Sequence, residues 1–313
     1  MNSKPEILLL APLPQFLLGP LWEACICHSY FMTEHKETLL AEAGPRIRGI
    51  VMAGGSQAPV ELLKKLPALE IISVFGVGYD GVPVEYCRQR GIHVTNTPDV
   101  LTDDVADIAV GLILMTSRRL AEAERYVRAQ QWPRAPFPLA HSLRGKTAGI
   151  LGLGRIGKAI AERLVPHGLK IAYHGRHAQS DVSYHYCDGL KSLAEESDFL
   201  VVACPGGAGT HHLVDAEILR ALGPHGTVIN IARGSVVDEQ ALVTALNSGT
   251  IRSAGLDVFE HEPQIPAELL NDERVVLLPH IGSATQETRE AMAALCVGNV
   301  NAHFSGAPLL TPV

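Results

Sequence analysis

The sequence predicts an α/β protein built on parallel sheets. Three observations carry this. Short aliphatic or β-branched runs alternate with helical patterns along the chain, the signature of strand–helix–strand units. At 313 residues there is room for two domains of roughly 150 residues each. Hydrophobic residues make up 47% and charged residues 19%, so the chain can bury a core and does not read as disordered.

The first strand is predicted at Glu6–Leu10, followed by strands over Gly49–Met52 and Ile71–Phe75, with a short helix from Pro59 to Leu66 between them. Arg90–Thr95 reads as a further strand. Thr102–Arg118 is the longest helical signal. Thr102, Asp103 and Asp104 suit a helix N-terminus, and Arg118 and Arg119 suit its C-terminal dipole. From Ile108 to Met115 it is apolar on nearly every face, which predicts a helix buried on all sides, between domains or in an oligomer interface. Lys146–Leu151 reads as a strand, then a glycine-rich turn, then a helix from Arg155 to His167 on which Ile156, Ile160 and Leu164 recur at i, i+4 and i+8, with Gly168 as the stop. Strands follow at Leu169–Tyr173, Phe199–Ala203, Thr227–Asn230, Ser253–Leu256 and Val275–Leu278. Asp215 and Asp238 are placed to cap intervening helices, and Gly249 to close the second.

Composition excludes several classes. With 26 Lys+Arg against 33 Asp+Glu, the net charge is −7 and no basic stretch exists, which argues against nucleic-acid binding. Six cysteines are too few for a disulfide scaffold, and Cys25-Ile26-Cys27 is too tight for paired zinc-ligand spacing, so no metal site is expected. The longest uncharged apolar stretch, Ile7–Trp22, is too short for a membrane span and contains Pro12, Pro14 and Pro20, which also spoil it as a signal peptide. The expectation is a cytoplasmic protein with ordinary thiols and no membrane partner.

Gly152-Leu153-Gly154-Arg155-Ile156-Gly157 fits G-x-G-x-x-G. The first glycine permits the tight turn, the second lets a pyrophosphate approach the backbone, and the third lets helix and strand pack closely. Twenty-nine glycines make chance matches easy, but this one follows a strand, opens a helix and precedes a second strand, which is the context dinucleotide binding requires. The end of that second strand should choose the cofactor. It reads His174-Gly175-Arg176-His177, with no carboxylate until Asp181. A carboxylate would bond a ribose 2′-hydroxyl, whereas a guanidinium can grip a 2′-phosphate, so NADP (as NADPH) is the preferred cofactor. The alternative, Arg176 as a solvated residue with NAD also accepted, stays open.

Reduction of a 2-keto acid needs a hydride donor, a cation for the carboxylate and an acid for the carbonyl oxygen. Arg233, Glu262 and His280 each lie just past a predicted strand end, where open α/β sheets bind ligands. Around them run Asn230–Asp238, Ala254–Pro263 and Leu278–Thr285, with Thr95–Asp107 upstream. These segments and the glycine fingerprint resemble the D-isomer-specific 2-hydroxyacid dehydrogenase family, from about residue 70 onward, and within it the NADPH-dependent glyoxylate/hydroxypyruvate and hydroxyphenylpyruvate reductases.

The resemblance implies two doubly wound parallel-sheet domains: a Rossmann-type nucleotide domain over 99–284, and a flavodoxin-like substrate domain from 1–98 plus 285–313, with the active site in the cleft between them. It implies His280 as proton donor to the keto oxygen, Glu262 as the partner that fixes its tautomer and favours its protonated form, and Arg233 as the carboxylate cation. It implies carboxylate-binding backbone donors at Val77 and Gly78 in Phe75-Gly76-Val77-Gly78-Tyr79, and cofactor contacts at Gly152–Gly157, His174, Gly175, Arg176, Cys204, Pro205, Thr210, Ile231, Asp257 and Gly282. The Cys204-Pro205-Gly206-Gly207-Ala208-Gly209 loop carries extra glycines that leave its shape open. A buried helix cap is the alternative role for Asp257. A homodimer is expected, with Trp132 a candidate contribution from the partner subunit. A nucleotide-sensing corepressor-like binding protein on the same scaffold is the competing class; it usually carries a longer tail than one ending at Val313. Formate dehydrogenases of this family differ by a Gln where Glu262 stands.

Overall fold

The computed structural model describes residues 4–313. The chain divides into two compact units, Met1–Leu101 with Thr285–Val313, and Thr102–Ala284. In chain order the first unit contributes β1 (Glu6–Leu9), α1 (Gln15–Ala24), β2 (Ile26–Ser29), α2 (Lys36–Ala43), β3 (Ile47–Ala53), α3 (Val60–Lys64), β4 (Ile71–Phe75), α4 (Val84–Gln89) and β5 (His93–Thr95). The second supplies α5 (Thr102–Arg118), α6 (Leu120–Arg128), β6 (Thr147–Leu151), α7 (Arg155–Leu164), β7 (Lys170–His174), β8 (His185–Tyr186), α8 (Leu190–Glu195), β9 (Phe199–Val202), α9 (Ala216–Leu222), β10 (Thr227–Asn230), α10 (Glu239–Asn247), β11 (Ser253–Leu256), α11 (Ala267–Leu270) and β12 (Val275–Leu277). The chain then returns to the first unit with α12 (Gln286–Ser305).

The first unit's sheet is wholly parallel, in the order β2-β1-β3-β4-β5. This is the flavodoxin-like doubly wound order. All five residues of β4 are buried, as expected of a strand covered on both faces. Its one polar residue, Ser73, is satisfied: its hydroxyl donates to the Cys296 carbonyl of α12 at 3.1 Å and accepts from Thr95 at 3.1 Å. The apolar run Ile7–Trp22 is split between β1 and α1, and Pro20 lies inside the helix.

The second unit's sheet is also parallel, in the order β12-β11-β10-β9-β6-β7-β8. Counted from β6, this is the Rossmann arrangement extended by a further strand. The direction of strand succession reverses at β6, which has β7 on one side and β9 on the other. Asp215 and Asp238 cap α9 and α10 as expected, their carboxylates accepting N–H groups from Glu217 and Ile218, and from Ala241. Gly168, at φ +81°, ends the turn after α7.

The α5 bounds agree with the sequence reading, and within one chain its burial is one-sided. Within one chain, Val105, Ala106, Ala109, Leu112, Ile113, Thr116 and Ser117 form a single buried stripe against α7 and β11. Ile108, Val110, Leu114 and Met115 are only half-buried. A helix lying on one side of a sheet covers one stripe, whatever the composition of its other face.

Candidate active site

The glycine turn after β6 has the geometry its sequence requires. Gly152 sits at φ +95°, and a Cβ on it would lie 2.7 Å from the Cys204 Cα. The loops after β6 and β9, the two strands at the switch point, therefore touch backbone to backbone. At Gly157 a Cβ would meet the Gly152 carbonyl oxygen at 2.3 Å, so only glycine lets α7 start this close to β6. Gly154 is different: nothing lies within 4 Å of its Cβ position. That open, exposed face at a helix N-terminus, one that any side chain would fill, fits a dinucleotide pyrophosphate. Leu153 is buried; Arg155 is exposed and Ile156 half-buried.

After β7, His174 and Gly175 are half-buried and Arg176 is exposed. The His174 Nδ1 lies 2.9 Å from the Cys187 carbonyl, which fixes its ring. The nearest downstream carboxylate, Asp181, is held by Lys158 Nζ at 2.6 Å, and that bond keeps its pKa below the ordinary value. Cys204 is buried, and desolvation raises its thiol pKa to about 11. Thr210 closes the following loop on itself, its hydroxyl donating to the Pro205 carbonyl at 2.7 Å. Ile231 is buried.

Along the same C-terminal edge, toward β12, register aligns three strand ends. Asn230, Leu256 and Leu277 are neighbours across β10, β11 and β12. Just beyond these ends come Arg233, three residues past Asn230, Asp257, the residue after Leu256, and His280, three residues past Leu277. Asn230 shapes the first exit, its side chain accepting the Ala232 N–H at 3.1 Å and donating to the Arg233 carbonyl at 2.9 Å. Gly234 then lets the loop after β11 lie against it: a Cβ there would sit 1.8 Å from the Phe259 carbonyl carbon. That close approach fixes the segment carrying Glu262.

His280 Nδ1 lies 2.7 Å from Glu262 Oε2, and Glu262 Oε1 accepts the Phe259 N–H at 3.1 Å. Burial pushes the Glu262 pKa up, but the His280 bond and charge, the Phe259 N–H and the Arg233 charge outweigh it and leave the carboxyl below its ordinary value. The group is a carboxylate at neutral pH. His280 itself has φ +54°, a left-handed conformation uncommon outside glycine. Asp257 holds it there. Its buried carboxylate accepts the Ile281 and Gly282 N–H groups, each at 2.8 Å. Burial keeps its pKa above the ordinary value even with these two donors. Asp257 therefore caps the His280 turn, not a helix.

Two supports were not read from the sequence. The buried Glu239 of α10 accepts the Glu260 N–H at 2.8 Å, and His212 Nε2 lies 2.7 Å from Glu260 Oε1. Both pin the loop two residues before Glu262. Their spacings in sequence are 21 and 48 residues, so no local pattern signals them.

In the first unit, the loop after β4 carries Val77 and Gly78. Asn96 Nδ2 donates to the Val77 carbonyl at 2.9 Å, and the Thr97 N–H donates to the Gly76 carbonyl at 2.9 Å.

This dinucleotide-type sheet with a paired imidazole and carboxylate at its C-terminal edge defines an oxidoreductase, and comparison with known proteins agrees. The pattern described as D-isomer specific 2-hydroxyacid dehydrogenase, NAD binding domain, matches residues 110–282. A glyoxylate/hydroxypyruvate reductase A of Arabidopsis thaliana is 48% identical over 307 residues, 98% of each chain. A hydroxyphenylpyruvate reductase of Plectranthus scutellarioides is 47% identical, again over 98% of each. Among solved structures, an NADPH-dependent glyoxylate/hydroxypyruvate reductase of Sinorhizobium meliloti, in complex with NADP and malonate, has a TM-score of 0.92 at 47% identity, covering 99% of this chain and 97% of that one. The chain belongs to the D-isomer specific 2-hydroxyacid dehydrogenase family. Among the described residues, no helix is long and apolar enough to cross a membrane.

Proposed function

We propose that the protein uses NADPH to reduce a small 2-keto acid of the glyoxylate or hydroxypyruvate type to the D-2-hydroxy acid. The observation that carries this is the His280–Glu262 pair at 2.7 Å, at the sheet edge from which Arg233 also emerges. When bound, the reduced nicotinamide supplies the hydride. With Nδ1 committed to Glu262, His280 presents Nε2 to the substrate and gives its proton to the keto oxygen. Glu262 holds the ring in that tautomer and balances the imidazolium charge. Arg233 binds the carboxylate and polarises the carbonyl, and the Val77 and Gly78 backbone N–H groups are further carboxylate donors. The unit Thr102–Ala284 is the nucleotide domain in this reading, with Gly152–Gly157, His174–Arg176, Cys204, Pro205, Thr210, Ile231, Asp257 and Gly282 along the cofactor. The other unit is the substrate domain.

NADPH is preferred because Arg176 is exposed where a 2′-phosphate would fall and the nearest downstream carboxylate, Asp181, is already neutralised by Lys158. The relatives' names favour a reductase over a nucleotide-sensing corepressor. We place the protein in the cytoplasm, in keeping with six unpaired cysteines.

We further propose a homodimer. Helix α6 buries none of its residues, and the segment it opens exposes Leu120, Val127, Trp132 (66%) and Leu139 (97%). That much apolar surface on one segment fits a second copy of this chain; light scattering giving a monomer at micromolar concentration would reject it.

Steady-state reduction of glyoxylate, hydroxypyruvate, pyruvate and phenylpyruvate, each with NADPH and NADH, tests the function. NADPH oxidation with at least one of the small keto acids is expected. Absence of turnover with all four would overturn the reading.

A further inference from the structure

We infer that Gln179 is a positioning residue for cofactor choice: it ties the loop carrying Arg176 to the glycine turn, and so sets how well NADPH is told from NADH. The inference rests on the NADPH reading above.

The argument begins with the ligand's shape. In NADPH the 2′-phosphate and the pyrophosphate hang from one ribose, so their separation is nearly fixed. Two protein elements that read them must be held at a matching distance. The pyrophosphate reader is the turn Gly152–Gly157. The 2′-phosphate reader, Arg176, lies on a separate loop after β7.

That loop is exposed at Arg176, His177 and Ala178, and anchored on either side. Before the tripeptide, the Tyr186 hydroxyl donates to the Gly175 carbonyl at 3.3 Å. After it, the Gln179 N–H donates to the hydroxyl of Tyr173, a side chain only 1% exposed, at 2.7 Å. The two tyrosine rings pack with centroids 5.3 Å apart, so both anchors stand on one aromatic pair. A short exposed segment is thus strung between two supports, the buried Tyr173 and the half-buried Tyr186.

Gln179 reaches from this loop into the glycine turn. Its Nε2 donates to the Leu153 carbonyl at 2.7 Å. The partner is a carbonyl oxygen, so the amide must present its nitrogen. This bond fixes the height of the Arg176 loop above the turn. The second tether, Lys158 to Asp181, joins two side chains on the surface and restrains the loop more weakly. Ordering the loop in the free protein removes an entropic cost that binding would otherwise carry.

The test uses Gln179→Ala and Gln179→Met; the second keeps the side-chain length but has no donor. Calorimetric titration of the intact protein with NADP⁺ and with NAD⁺ reads binding directly, and unfolding midpoints check that each variant is folded. Both variants should bind NADP⁺ roughly 3- to 10-fold more weakly, the size of one net hydrogen bond. NAD⁺ affinity should change less than about 2-fold, and kcat at saturating NADPH should hold while KM for NADPH rises. Equal weakening of both cofactors, or no weakening of either, overturns the inference. Arg176→Ala is the control for the underlying reading. If it leaves the NADP⁺/NAD⁺ ratio unchanged, the 2′-phosphate is read elsewhere and the inference falls with that reading. If it lowers the ratio while the Gln179 variants do not, the inference alone fails.

Discussion

After β6 the chain turns on glycines, and the useful feature is the space their missing side chains leave. After β10, β11 and β12 it turns on Asn230, Glu262 and Asp257, and the useful feature is what those side chains hold. Both regions belong to one parallel sheet. The first is built by exclusion: a Cβ at Gly152 or Gly157 would strike backbone, and one at Gly154 would fill the open face. The second is built by engagement, with buried carboxylates spent on backbone N–H groups so that one imidazole stands in a left-handed turn. A nucleotide pyrophosphate needs bare backbone; proton transfer needs a group aimed and charged.

The contrast can be tested from either side. The largest effect should come from His280→Ala, which removes the proton donor and leaves the cofactor turn intact. Turnover should fall by about 10²-fold or more with NADPH affinity nearly unchanged. A near-normal rate would mean that the engaged region does not carry the chemistry. Gly157→Ala attacks the other region. Its Cβ would need backbone to move, so a loss of about 1–3 kcal/mol in stability is expected, together with weakened NADP⁺ binding. An unchanged melting profile and affinity would show that the turn has slack.

Glu262→Gln probes the charge held in the engaged region. The Glu262 pKa is lowered on folding, so its ionised form stabilises the fold. That contribution is complete above the ordinary value of 4.5 and is lost as pH falls through the depressed folded value. Wild type should therefore melt above Glu262→Gln at neutral pH, and the gap should close in acid. A gap independent of pH would make the residue a packing element. The smallest effect belongs to Asp215→Ala. It removes the α9 cap, remote from both features, and should cost about 1 kcal/mol in denaturant unfolding with kinetics unchanged.

The same contrast explains what was legible in the sequence. Glycine spacing is local, and so are strand runs and caps: β4, β10, β11 and α5 have the bounds that periodicity and end signals suggest, and Asp215 and Asp238 cap as expected. The supports of the engaged region are not local. Glu239 and His212 reach the segment before Glu262 from other elements, and Gln179 reaches Leu153 across 26 residues. Edge strand β2 has no fully buried residue, so it carries no burial rhythm to detect. The half-buried side of α5 marks another limit, since apolar composition alone does not say whether a second face is covered by the same chain.

Residues 310 and 311 are also joined to the Val77 loop through a relay of bonds. Asn299 receives the Leu310 and Thr311 N–H groups, the Thr311 hydroxyl donates to the Asn96 carbonyl at 2.6 Å, and Asn96 in turn grips Val77. Val313 donates its own N–H to Val94. A purification handle fused at this end, or a trimming of five residues, would tug on the loop proposed to receive the substrate carboxylate, and an assay of such material would under-report the enzyme.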